Sequence, residues 1–234
     1  MAQQQINVTG KAGPLIYYIR NGKNCIRTKP IKVKQTIATK KRSSNFSLAS
    51  TYARISRLNL PEIFAFKDGS RHNRLTGAFS LWLKGSNLAE LPAGEMPYLK
   101  GFQVNPLKML SSKWPQQITV VKITDRVQIT ISPLHPSQMM TIPKETTVIK
   151  LIITTIVMPL AQTTATQHVT SSFSLPCNEI FNGVSFHHDL VMMPSSVVMT
   201  AFSIVCYDAD TGPVKLRTGY TFPAEIIYAH WLGS

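Results

Sequence analysis

Apolar and polar residues alternate on both sides of the dipeptide Asn21-Gly22. A period of two marks a strand, and Asn-Gly between two such runs marks a hairpin with a type I′ turn. That turn needs φ > 0 at both central residues, which Asn tolerates and Gly enters freely. A two-residue turn pairs Arg20 with Lys23, Tyr18 with Cys25 and Ile16 with Arg27. Those six share one face, which mixes cations with an aromatic ring. Leu15, Tyr17, Ile19, Asn24, Ile26 and Thr28 form the other, mainly apolar face.

After the hairpin the pattern changes twice. Residues 30–42 read as an extended basic arm: Pro30 disfavours helix, and Ile31 and Val33 alternate with Lys32 and Lys34. Lys40, Lys41 and Arg42 close the arm. Over residues 44–58 the period becomes helical, with Leu48, Tyr52 and Ile55 flanked by Phe46, Ala49 and Ala53. Ser43, Ser44 or Asn45 is the expected cap, and Pro61 ends the run. A second helix is predicted over 70–84, with Leu75, Ala78, Phe79 and Trp82 as its core stripe and Asp68 or Ser70 as its cap. Arg71, His72, Asn73 and Arg74 are expected on its exposed side. Residues 85–101 read as a loop and as a domain boundary.

From residue 102 the signals are almost all β. Strands are predicted over 117–124, 126–132, 146–158, 166–175, 196–207, 214–222 and 224–232, rich in Val, Ile and Thr and separated by turn residues. Short strands in series without helices between them suggest an antiparallel sandwich. The expected fold is therefore α+β: an N-terminal β-hairpin and basic arm, two helices, then an antiparallel β-sandwich. The expected domains are 1–43, 44–101 and 102–234.

Charge sharpens this picture. The 234 residues carry a net charge of +14, unevenly spread. Residues 1–61 hold twelve basic residues and no acidic one; the first acidic residue is Glu62. A basic segment ahead of a near-neutral body points to a polyanionic partner. The residues expected to meet it are Tyr18, Arg20, Lys23, Arg27, Lys29, Lys32, Lys34, Lys40, Lys41 and Arg42. The cations would neutralise phosphates, and Tyr18 would stack on a base or sugar. The alternative is a hairpin packed on the body, with its charges in water. By contrast, no Lys or Arg occurs between Lys150 and Lys215. So long a cation-free strand region suggests covered faces, or faces and edges used in self-association.

Candidate chemistry is sparse. His187-His188-Asp189 offers at most His187 and Asp189 to one site, because adjacent residues on a strand face opposite ways. His168 is the one further candidate ligand. Asp208 and Asp210 resemble part of a calcium loop, but no downstream Glu completes it, and a turn is the simpler reading. Cys25, Cys177 and Cys206 show no metal-binding spacing and suit core or half-buried thiols. Three sparse cysteines fit a reducing compartment, and no apolar run reads as a signal peptide or membrane span. The expected location is the cytoplasm. No metal, cofactor or catalytic residue is expected.

The segment from Gly10 to Pro30, with its Gly-Lys-x-Gly opening, paired tyrosines, Arg-Asn-Gly-Lys turn and Arg-Thr-Lys-Pro close, resembles an uncharacterised Bacteroidota protein family. The likeness covers roughly the first third of the chain. It implies a bacterial origin and a β-rich C-terminal half, and nothing about mechanism.

The leading expectation is a non-enzymatic, self-assembling structural or scaffold protein whose basic arm meets an acidic partner or nucleic acid. A nucleic-acid-binding protein with sequence-independent phosphate contacts is the alternative. A metal-dependent enzyme built on His187, Asp189 and His168 ranks last.

Overall fold

The computed structural model describes residues 9–29, 35–61, 63, 68–84, 91–106, 117–139, 144–159, 167–208, 212–213 and 223–233. The chain divides into two compact units, Met1–Lys41 and Arg42–Ser234. The fold is α+β, with an N-terminal hairpin, two long helices and a β-rich C-terminal half.

The first unit is built on a three-stranded antiparallel sheet. Its strands are β1 (Gly10–Ala12), β2 (Leu15–Arg20) and β3 (Lys23–Thr28), in spatial order β1-β2-β3. The β2–β3 register runs from Leu15 opposite Thr28 to Arg20 opposite Lys23, as the two-residue turn requires. Asn21 and Gly22 adopt φ of 51° and 75°, the left-handed values of a type I′ turn. Strand β1 adds Gly10, Lys11 and Ala12 opposite Tyr17, Ile16 and Leu15. No residue of this sheet is buried.

Helix α1 (Ile37–Asn59) begins well before the expected start. Residues 37–42, predicted to be extended, form its first turns, while residues 30–34 lie outside the described residues. Ala38, Lys40, Lys41 and Arg42 all favour helix, and Thr36 caps it, its Oγ1 accepting the Thr39 N–H at 3.1 Å. These turns bury nothing, so no apolar stripe announced them.

The second unit has three layers. Its large antiparallel sheet orders β4 (Gly94–Glu95), β13 (Ala224–Trp231), β11 (Ser196–Asp208), β8 (Val148–Pro159) and β9 (Gln167–Pro176). Strand β5 (Phe102–Gln103) also pairs with β13, and β12 (Gly212–Pro213) with β11. One face of this sheet carries α1 and α2 (Arg71–Trp82). Ala49, Tyr52 and Ile55 of α1 and Leu75 and Phe79 of α2 pack there against Ile152, Ile156, Val197, Met199 and Trp231. The Tyr52 and Phe79 rings lie 5.7 Å apart, and Trp82 meets Trp231 edge-on at 5.8 Å.

The other face carries a three-stranded sheet, β10 (Val184–Asp189), β7 (Arg126–Ile131) and β6 (Ile118–Ile123), in that order. Val127, Ile129 and Ile131 of β7 interleave with Ile149, Leu151, Ile153, Val198, Phe202 and Ile204. Strands β8 and β11 are thus buried on both faces over most of their length. This accounts for much of the cation-free interval, because a central strand has no solvent face on which to carry lysine. The boundary expected at 85–101 falls inside the unit: Leu99 and Val104 belong to the same core as both helices. Part of that stretch, Gly94–Glu95, is strand rather than loop and pairs with His230 and Trp231.

Most expected strands appear within two residues of their predicted bounds. The run 214–222 lies outside the described residues. Strand β10 was not anticipated, since Val184–Asp189 ends in two histidines and an aspartate. It enters through a tight approach at Gly183, which has φ +86°. A Cβ there would sit 2.8 Å from the Ile131 carbonyl oxygen and 3.1 Å from Pro133 N. Both atoms are backbone and cannot swing aside. Gly183→Ala is therefore expected to destabilise by about 2 kcal/mol, lowering the thermal midpoint by roughly 5 °C. A melt followed by circular dichroism checks this.

Candidate polyanion interface

The basic face of the first unit is assembled by strand register. Side chains of directly paired residues in an antiparallel ladder point the same way. Arg20 and Lys23 form one row, Tyr18 and Cys25 the next, and Lys11, Ile16 and Arg27 the third. Four cations therefore share one face with a tyrosine, and no acidic residue occurs within residues 1–61 to offset them. Lys11 is the member that sequence reading missed. Its signal was the Gly13-Pro14 pair, which reverses the chain and lays residues 10–12 beside β2.

The Arg27 guanidinium lies over the Tyr18 ring, 5.7 Å from its centroid. This cation–π contact orients Arg27 and occupies one side of the ring. Lys11, Arg20, Lys23 and Arg27 are exposed, and Tyr18 is half-buried. Lys29 follows β3 and is exposed, its N–H donating to the Pro14 carbonyl. On the reverse face Leu15 and Tyr17 are half-buried, while Ile19 is 40% and Ile26 60% exposed.

The remaining expected residues do not join this sheet. Lys40 and Lys41 are exposed on α1, and so is Arg42, which belongs to the second unit. Successive helical residues turn by about 100°, so these three spread around the helix rather than line one side. They also sit near its N-terminus, where the helix dipole disfavours cations. Lys32 and Lys34 lie outside the described residues.

The second helix corrects a further expectation. Arg71 is buried rather than exposed, and burial lowers its pKa. Arg74 is tied down: its Nη2 donates to Asp68 Oδ2 at 2.7 Å and its Nη1 to the Gln103 carbonyl at 2.9 Å. Asp68 also accepts the Ser70 N–H at 2.8 Å. The Arg74 guanidinium holds the Asp68 carboxyl down at about 2. Arg74 thus fastens α2 to its surroundings, and Arg71 is buried, so neither is presented to a ligand as an exposed cation.

His187 and Asp189 do share the outer face of β10, and both are exposed. Asp189 faces Arg126 at 3.7 Å, beside an open hollow of about 500 Å³ that Asp125 and Gln167 also line. Among the described residues no three His, Cys, Asp or Glu side chains gather as metal ligands would. His168 lies on β9, in the other sheet. Asp210 lies outside the described residues.

His188, between those two, is fully buried between the sheets. Its Nδ1 lies 2.8 Å from Thr155 Oγ1 and its Nε2 2.9 Å from Ser171 Oγ. Thr155 in turn meets Thr200 at 3.0 Å. A neutral imidazole offers one donor and one acceptor, and hydroxyls complement both. Burial pulls the His188 pKa down to about 4. The network pins β10 to β8, β9 and β11.

No helix among the described residues is long and apolar enough to cross a membrane. Compared with protein-family models, curated proteins and solved structures, the chain matches none.

Proposed function

We propose that this is a non-enzymatic, self-assembling structural or scaffold protein of the cytoplasm. Its β-rich body makes the protein contacts, and its N-terminal sheet holds a polyanion such as nucleic acid. The observation that carries the reading is the basic face of the first unit. Lys11, Arg20, Lys23 and Arg27 stand together around Tyr18, without an acidic neighbour in sequence. Exposed cations on one face can neutralise phosphates, and contacts of this kind position a backbone without reading bases.

The test is molar mass by light scattering at low and high salt, with and without nuclease. The expected result is a salt-resistant self-associated mass after nuclease, together with restored binding to added single-stranded nucleic acid. Engaging four cations predicts a slope of log affinity against log salt of about −3. The alternative, a nucleic-acid-binding protein that does not self-assemble, rests on the same basic face. A nuclease-treated protein that is monomeric yet still binds would select it. Absence of salt-dependent polyanion binding would overturn both.

A further inference from the structure

We infer that the polyanion held by the first sheet is single-stranded nucleic acid, with a base stacked on the Tyr18–Arg27 pair. This rests on the proposed polyanion role and names the class of ligand that the same face takes.

The four cations alone do not choose a ligand. Lys11, Arg20, Lys23 and Arg27 would attract a duplex, a polyphosphate chain or an acidic peptide by charge. The choice comes from the group set among them. Tyr18 occupies the middle row of the face, with Arg20 and Lys23 in the row on one side and Lys11 and Arg27 in the row on the other. The two cationic rows are four residues apart along β2, or about 13 Å at the rise of a strand. The ring therefore stands between two phosphate-binding positions.

A ring offers phosphate no charge, but it offers a base a flat surface. The Arg27 guanidinium lies over the ring, 5.7 Å from its centroid, and Arg27 is itself exposed. A guanidinium is planar and stacks on bases as an aromatic ring does. Tyr18 and Arg27 thus form one stacking platform within a strip of positive charge. Such platforms select single strands. In a duplex the flat faces of the bases are covered by their neighbours, and only unpaired bases can splay onto a side chain. Polyphosphate and acidic peptides carry no base and leave the ring unused. Stacking of this kind tolerates any base, so the single strand is held with little regard to its sequence.

The experiment uses the full chain after nuclease treatment. Fluorescence anisotropy reads binding of a labelled single-stranded oligonucleotide and of its labelled duplex, and polyphosphate is read by competition against the duplex. Wild type is compared with Tyr18→Leu, Tyr18→Phe and Arg27→Lys. Tyr18→Leu is expected to weaken single-strand binding roughly tenfold and to leave duplex and polyphosphate binding within about twofold. Tyr18→Phe keeps the ring and keeps single-strand affinity. Arg27→Lys keeps the charge and loses the plane, so it weakens single-strand binding about threefold or more and spares polyphosphate. Single-strand affinity that ignores Tyr18→Leu overturns the proposal and leaves the polyanion role standing. Absence of salt-dependent binding to all three ligands overturns both. A tyrosine that only props Arg27 would serve every polyanion alike. If Tyr18→Leu weakens all three ligands equally, Arg27→Lys decides: a loss confined to the single strand supports the proposal, and any other result overturns it.

Discussion

Between pH 6.5 and about 4 the protein is expected to lose on the order of 3 kcal/mol of folding stability through His188. The imidazole is fully buried and pairs with Thr155 and Ser171. In the native state it stays neutral down to about 4, whereas in the unfolded chain it takes up a proton below 6.5. The unfolded state therefore binds more protons in that window, and stability falls as pH falls. The contribution is complete above 6.5 and fully lost below about 4. His230, also lowered by burial, acts in the same direction, so a control is needed. His188→Leu removes the group and should flatten the slope. It should also cost about 1–3 kcal/mol at neutral pH by removing the His188 bonds to Thr155, which keeps Thr200, and to Ser171. Urea unfolding of both proteins at pH 7, 6, 5 and 4 measures the difference. Asp68, held at about 2 by Arg74, gives up its contribution only as pH falls below 3.8, outside this range.

Reversing three charges on the basic face should have the largest effect on binding. Arg20→Glu/Lys23→Glu/Arg27→Glu replaces three cations with three anions on one surface. Polyanion affinity at low salt is expected to fall on the order of a thousandfold, and the salt slope to flatten by about 2 to 3. The three side chains are exposed, so stability should change by less than about 1 kcal/mol, mostly through the lost Arg27–Tyr18 contact. Fluorescence anisotropy with labelled single-stranded DNA across a salt series reads both quantities. Unchanged affinity would remove the sheet from any polyanion role.

The hairpin was legible to the residue because a two-residue turn and a period of two leave one register. Lys11 escaped because its strand has three residues, too few to show alternation. The strands β8 and β11 could be located but not oriented. Buried on both faces, they show no polar side from which to read direction. Strand β10 was hidden by His188, which looks like a surface residue in sequence and is buried because β8 and β9 supply its partners, Thr155 and Ser171. The first turns of α1 were hidden for the opposite reason: Ile37, 89% exposed, buries nothing, so propensity and the Thr36 cap act without a core pattern. Arg71 and Arg74 were misplaced because whether an arginine faces solvent depends on what lies across from it. For Arg74 that is Asp68 and the carbonyls of Gln103 and Val104, while Arg71 is buried.

The contact between Trp82 and Trp231 ties assembly to synthesis. Both helices leave the ribosome early, yet the face they cover includes β13, which is translated after every other strand described. Strand β8 emerges with apolar residues on both sides and finds β9 soon afterwards, but its second neighbour β11 comes only after β10. Pairings so distant in sequence close slowly and leave sticky intermediates. The second unit therefore cannot fold vectorially. Its nascent chain must be kept from aggregating until residue 231 is free to meet residue 82.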